Sequence, residues 1–167
     1  MKTILVIFIT STLGVLQSVL LVDIMPMGIV PDLALVLLLA ASCRYGRMTG
    51  VIAGFFVGLT FDIMGLAPLG FHAFIYTIIG YLSGLLDSSI TSGLLFLPVL
   101  ITLAASALKY GGAYLLKMII GLNPGAITPF LKGAAIEAGV NALLAPLIFW
   151  LLHIITRAAE ERRGGFH

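Results

Sequence analysis

The sequence predicts an all-α integral membrane protein of six transmembrane helices, and three observations carry that prediction. Sixty per cent of the residues are apolar and only 10% are charged, whereas about a quarter are charged in a soluble domain. Mean hydropathy is +1.18. The apolar residues also fall into six runs near the ~20 residues that cross a bilayer core, broken by short stretches rich in Pro, Gly, Asp and Ser. No long polar block remains in the 167 residues for a folded aqueous domain. One six-helix domain is therefore expected over residues 1–157, with a cytoplasmic tail over 158–167.

The first span, 3–22, follows Lys2 and has no small-x-small cleavage site, so it reads as a retained helix and not a removed leader. The turn DIMPMG, 23–28, ends it. The second span is placed at 28–43, because Pro31 suits a first helical turn, where its missing N–H would be unpaired anyway. The Arg44–Gly46 hairpin leads into the third span, 47–64, and GLAPLG, 65–70, turns into the fourth, 70–86. LDSSITSG, 86–93, supplies caps before the fifth, 93–116. A longer connection, 117–129, contains the turn Asn123-Pro124-Gly125. The sixth span, 130–156, runs into the polar tail RAAEERRGGFH, whose last residues are expected to be mobile.

The third span carries the strongest pattern. Gly46, Gly50, Gly54 and Gly58 recur every fourth position, and the next step is Asp62. A helix advances ~100° per residue, so these glycines share one bare face into which another backbone can press. Gly80 and Gly84 repeat the device in the fourth span, with Tyr76 before them at the same spacing. Helix packing is the simpler reading of the ladder; the sharper one is that it delivers Asp62 to a functional site. Cys43 lies within an apolar run with no second cysteine, and reads as a small hydrophobe facing lipid or core.

Charge sets the orientation. With a cytoplasmic N-terminus, Lys2, Arg44, Arg47, Arg157, Arg162 and Arg163 lie inside and only Lys117 and Lys132 outside, which places both termini in the cytoplasm. A net charge of +2, dispersed along the chain, gives no reason to expect nucleic acid.

No HExxH, GxSxG, Walker A loop or cysteine pair is present, so no soluble-enzyme motif points to a catalytic site or to a cofactor. What stands out is polar residues inside apolar spans, where an ionisable group is costly and is paired, cavity-facing or functional. These are Asp32, Asp62, His72, Lys109, Glu137 and Asn141, read as an outer polar cluster that binds a partner or ligand. By helix rise, Asp62 lies roughly 3 to 5 Å from the outer end of its span, and Lys109 and Glu137 each lie about 10 Å from theirs. Equal depth on neighbouring helices predicts an ion pair. Asp32 beside Pro31 also suits a helix N-terminus. His72 has no second histidine or cysteine at ligand spacing, so no metal is expected.

The stretch from Pro31 to Leu86 resembles the MreD family, the membrane subunit of the bacterial cell-elongation machinery. The matching pieces are Pro31-Asp32-Leu33, Gly50, Gly54, Gly58, Asp62, Pro68-Leu69-Gly70 and Gly80-Tyr81-Leu82. The resemblance implies a non-enzymatic scaffold of the bacterial inner membrane that binds MreC, a bitopic protein. It also implies support of peptidoglycan synthesis and cell shape alongside MreB, RodA and a penicillin-binding protein, in contact with membrane lipid. MreD-like proteins are similar in fold to the substrate-binding subunits of energy-coupling-factor vitamin transporters, which supplies an alternative function. Against that alternative, the first span lacks an Ala-xxx-Ala pair, and Gly14-xxx-Ser18 is the nearest substitute.

Overall fold

A computed structural model of the chain describes residues 2–20, 30–65, 68–86, 96–123 and 125–164. They form six helices and, among the described residues, no strand: α1 Lys2–Leu20, α2 Leu33–Tyr45, α3 Arg47–Met64, α4 Phe71–Ser83, α5 Phe96–Ile119 and α6 Ile127–Gly164. α3, α5 and the Ile127–Arg157 portion of α6 are long and apolar enough to cross a membrane. Val6–Gln17 of α1, α2 and α4 are shorter apolar helices.

The differences from expectation are local. α2 begins at Leu33, not near Gly28, because Asp32 is its N-cap and the Asp32 carboxylate accepts from the Leu35 N–H at 2.9 Å. Pro31 therefore stands just outside the helix. α4 stops at Ser83, where Gly84 caps it and Leu85 and Leu86 turn back onto the Leu82 and Ser83 carbonyls. α5 runs on to Ile119, and α6 starts at Ile127, so only residues 120–126 connect them. Pro129 does not break α6, because in the first turn its missing N–H has no intrahelical partner to lose. The connection turns on Asn123, whose side-chain oxygen accepts from the Gly125 N–H at 2.9 Å, and on Gly121 and Gly125 with φ of 75° and 79°. α6 continues to Gly164, so the tail begins as helix. The turn expected at 23–28, most of the one at 86–93 and the last residues, 165–167, lie outside the described residues.

α2 is the centre of the bundle. Ala34, Leu35, Val36, Leu38 and Leu39 are at most 1% exposed, which matches a helix that is apolar all round. Val57, Tyr76 and Ile79 close the core from α3 and α4. Cys43 faces this core, its sulfur 3.3 Å from the Ser83 carbonyl. Outward faces carry Phe8, Phe55, Leu100, Leu115, Leu143 and Trp150, all exposed, as suits surfaces meeting lipid.

α3 and α4 pack backbone against backbone. A Cβ on Gly50 would overlap the Gly80 carbonyl, one on Gly54 the Tyr76 carbonyl, and one on Gly58 the Ala73 backbone. The contact is reciprocal: a Cβ on Gly80 would overlap the Gly50 carbonyl, and Gly84 abuts the Arg47 backbone. Gly46 borders this groove with its carbonyl carbon, near Gly84, but needs no space at its own Cα. A Cβ there would meet nothing within 4 Å, but φ is 86°, so glycine serves the sharp joint between α2 and α3.

Candidate functional site

The buried charges centre on Lys109. Its Nζ lies 2.6 Å from Asp32 Oδ2 and 2.6 Å from Glu137 Oε1. Expectation paired Lys109 with Glu137 alone; the structure sets it between two carboxylates. Asp32 further accepts from the Tyr76 hydroxyl, from the Leu35 N–H and, at 3.4 Å, from Gln17 Nε2. Glu137 accepts from the Tyr110 hydroxyl and, at 3.5 Å, from Asn141 Nδ2. Asn141 Oδ1 accepts from the Asp32 N–H at 2.8 Å. Gln17 Oε1 accepts from the Leu33 and Ala34 N–H groups at 2.8 and 3.3 Å, so two orphan donors of the α2 N-terminus are met from α1.

Five helices thus meet in one network: α1 through Gln17, α2 through Asp32, α4 through Tyr76, α5 through Lys109 and Tyr110, and α6 through Glu137 and Asn141. Along α5 and α6 the network lies further from the helix ends than the sequence suggested. α5 ends later and α6 starts earlier than expected, so Lys109 and Glu137 each lie about 15 Å from the connected helix ends. On α1 and α2 the same network lies at helix ends, since Gln17 is three residues from the end of α1 and Asp32 is the N-cap of α2.

Asp62 belongs to a separate arrangement. Its Oδ2 accepts from the Gly70 and Ala73 N–H groups at 2.9 and 3.1 Å, and its Oδ1 from the His72 N–H at 2.8 Å. Gly70 is the N-cap of α4 with φ of 95° and no side chain to cap with. Asp62, at the end of α3, therefore supplies the missing cap and places a negative charge at the positive helix end. His72 Nδ1 lies 2.9 Å from the same Oδ1. Since a carboxylate accepts, Nδ1 is the donor in this contact.

His72 nevertheless reaches the main network from its other side. With Val30 and Phe61 it lines a cavity of about 200 Å³ whose polar wall is Gln17, Asp32, Tyr76, Lys109 and Glu137. Asp62 is not part of that lining. Of the six polar residues singled out in the sequence, four form the Lys109 network and two form the α3–α4 cap, with His72 bridging to the cavity. Gln17, Tyr76 and Tyr110 are members that sequence reasoning missed. Gln17 did carry a signal, as the one amide inside the first apolar run.

Each charged group in the cavity wall is engaged by another helix. No three His, Cys, Asp or Glu residues stand together to hold a metal among the described residues. Three buried hydroxyls, of Ser11, Thr102 and Ser106, have no hydrogen-bond partner there.

Apolar helices joined by a buried ion network define a multi-pass membrane protein. The chain belongs to the MreD family: the family model of the rod shape-determining protein MreD matches residues 1–155. Membership carries a role in determining rod shape, in a family of structural membrane proteins and not a known enzyme family. No curated protein and no solved structure matches the chain.

Proposed function

We propose that the protein is a non-enzymatic scaffold of the bacterial elongation complex, built of six membrane spans with both termini in the cytoplasm of the inner membrane. In this reading it binds MreC, a single-span partner, and supports peptidoglycan synthesis together with MreB, RodA and a penicillin-binding protein. The observation that carries the reading is the use made of the buried charges. Asp32 and Glu137 each bond Lys109, which ties α2, α5 and α6 together, and Asp62 caps α4. A rigid bundle with broad apolar outer faces suits partner helices better than turnover of a substrate.

The cavity of about 200 Å³ beside Lys109 is the feature that favours the alternative, a substrate-binding subunit of an energy-coupling-factor vitamin transporter. A pull-down from detergent extract separates the two. Recovery of MreC and the other elongation proteins is expected; recovery of an ATPase-driven transporter module in their place sinks the scaffold. Orientation is checked by labelling after Cys43→Ser. A cysteine at position 123 should react with an impermeant reagent in intact cells and one at 165 should not, while the reverse pattern overturns the topology.

A further inference from the structure

Among the described residues, the cavity of about 200 Å³ is lined by Asp32, Glu137 and Lys109 and by no further charged side chain except His72. Two carboxylates against one ammonium leave one negative charge. Whatever charge His72 takes is met by Asp62, whose Oδ1 lies 2.9 Å from His72 Nδ1. The α2 N-terminus beside Asp32 offsets only about half a charge. The lining is therefore negative. An anion finds no free cation in it, since the Lys109 ammonium already touches both carboxylates at 2.6 Å.

One of the two carboxylates keeps room for a further donor. A carboxylate has roughly four lone-pair sites, and Asp32 has all of them taken: Leu35 N–H and Gln17 donate to Oδ1, Tyr76 and Lys109 to Oδ2. Glu137 accepts from Lys109 and Asn141 on Oε1 but, among the described residues, from Tyr110 alone on Oε2. That oxygen can take one more hydrogen bond. The same cavity is walled by the rings of Phe61, His72 and Tyr76, with the Phe61 centroid 5.5 Å from Tyr76 and 6.3 Å from His72. Ring faces attract a cation within about 6 Å, as the Tyr110 ring holds Lys109 Nζ at 5.1 Å. Size narrows the choice further. The space equals about six water molecules at ~30 Å³ each, more than a bare ion fills, and it is below the ~300 Å³ at which pockets for drug-sized ligands begin. Gln17, Asp32, Phe61 and His72 all stand within three residues of a helix end, so the cavity lies at the ends of α1 to α4.

We infer that this cavity binds a primary ammonium ion on a small apolar carrier, with its N–H on Glu137 Oε2 and its apolar part against Phe61 and Tyr76. The site goes beyond the scaffold reading and does not rest on it. A pull-down without MreC leaves amine binding standing, and a lack of amine binding leaves the scaffold standing, so the two fail separately.

Thermal melts of the purified protein in detergent test the site, with propylammonium chloride, propanol, sodium propionate or sodium chloride added at matched concentration. Propylammonium should raise the melting temperature saturably, and the other three should not. Titration of the saturation transfer from protein to the propylammonium methyl protons gives the affinity. Glu137→Gln keeps the shape and removes the charge, and should weaken binding at least about tenfold, as the loss of a hydrogen bond to a charged group does. Phe61→Leu lies outside the ion network and should weaken binding about threefold through the lost ring face; it decides the matter if Glu137→Gln does not fold. Phosphatidylethanolamine carries the same ammonium on a lipid, whereas the quaternary nitrogen of phosphatidylcholine has no N–H. Competition by phosphatidylethanolamine alone assigns the ammonium to a headgroup, and competition by neither lipid assigns it to a soluble amine. Protection by sodium chloride or propanol equal to that by propylammonium overturns the site, as does a propylammonium affinity unchanged in both variants.

Discussion

Replacing Lys109 by methionine should be among the most damaging single changes in the bundle. The ammonium touches two carboxylates at 2.6 Å each, and the three side chains are only 16%, 5% and 12% exposed for Lys109, Asp32 and Glu137. Methionine keeps much of the volume but leaves two negative groups facing one another with no cation between them. Breaking a buried pair from one side costs about 3 to 5 kcal/mol, and here both carboxylates lose their cation at once. Glu137→Gln is milder, because a one-to-one pair of Lys109 with Asp32 survives and the amide still accepts from Tyr110; about 1 to 3 kcal/mol is expected. Lys109→Met with Glu137→Leu should recover part of the loss and not all of it. Asp32 then stays charged without Lys109, helped only by Tyr76, Gln17 and the α2 N-terminus. Adding Asp32→Asn keeps the cap and removes the last charge, so the triple variant should approach the parent. Unfolding in detergent, followed by size-exclusion fluorescence against temperature, measures the series. A Glu137→Gln loss equal to that of Lys109→Met, or full recovery in the double variant, would refute the three-membered network.

Other expectations follow from single contacts. Gly54→Leu must push a side chain through the Tyr76 carbonyl and should cost at least the 1 to 3 kcal/mol of overpacking, well above Leu59→Ala in the same detergent melt. Asp62→Ala strips acceptors from three N–H groups at the start of α4 and should lose roughly 2 kcal/mol or more, with faster amide exchange at residues 70–73 as its signature. Ser106→Ala removes a buried hydroxyl that has no partner, so stability in the same melt should hold or rise by up to about 1 kcal/mol; a clear loss would reveal an unseen partner.

The sequence announced α3 from Arg47 to Met64 because apolar length, glycine spacing and flanking turns all agreed there. It could not place the start of α2, since Pro31 is equally at home inside the first turn or just before it, and the Asp32 cap decides. Nor could it end α6 at the membrane, because RAAEERR is made of good helix formers that continue any helix already begun. The equal distance of Lys109 and Glu137 from the connection between their helices was legible, which is why the two could be matched. Azimuth was less so: Asp32 and Asp62 are both shallow carboxylates in sequence, yet one faces Lys109 and the other faces the α4 N-terminus. Tyr76 and Tyr110 were hidden for another reason, as tyrosine reads as apolar until its hydroxyl is seen on a carboxylate.

The interlocked glycines of α3 and α4 also determine which parts of the bundle can yield. Neither helix can turn about its axis without driving a Cα or a side chain into the carbonyl opposite, so the two travel as a single plank. α5 and α6 meet instead through side chains: the rings of Tyr110, Tyr114 and Phe130 pack together, and Glu137 of α6 is held by Lys109 and Tyr110 of α5. Any shear of α5 past α6 must therefore first break the contacts of Glu137. A pull exerted on the α3–α4 half is transmitted without slack to the central α2, whose N-terminus holds Asp32 against Lys109.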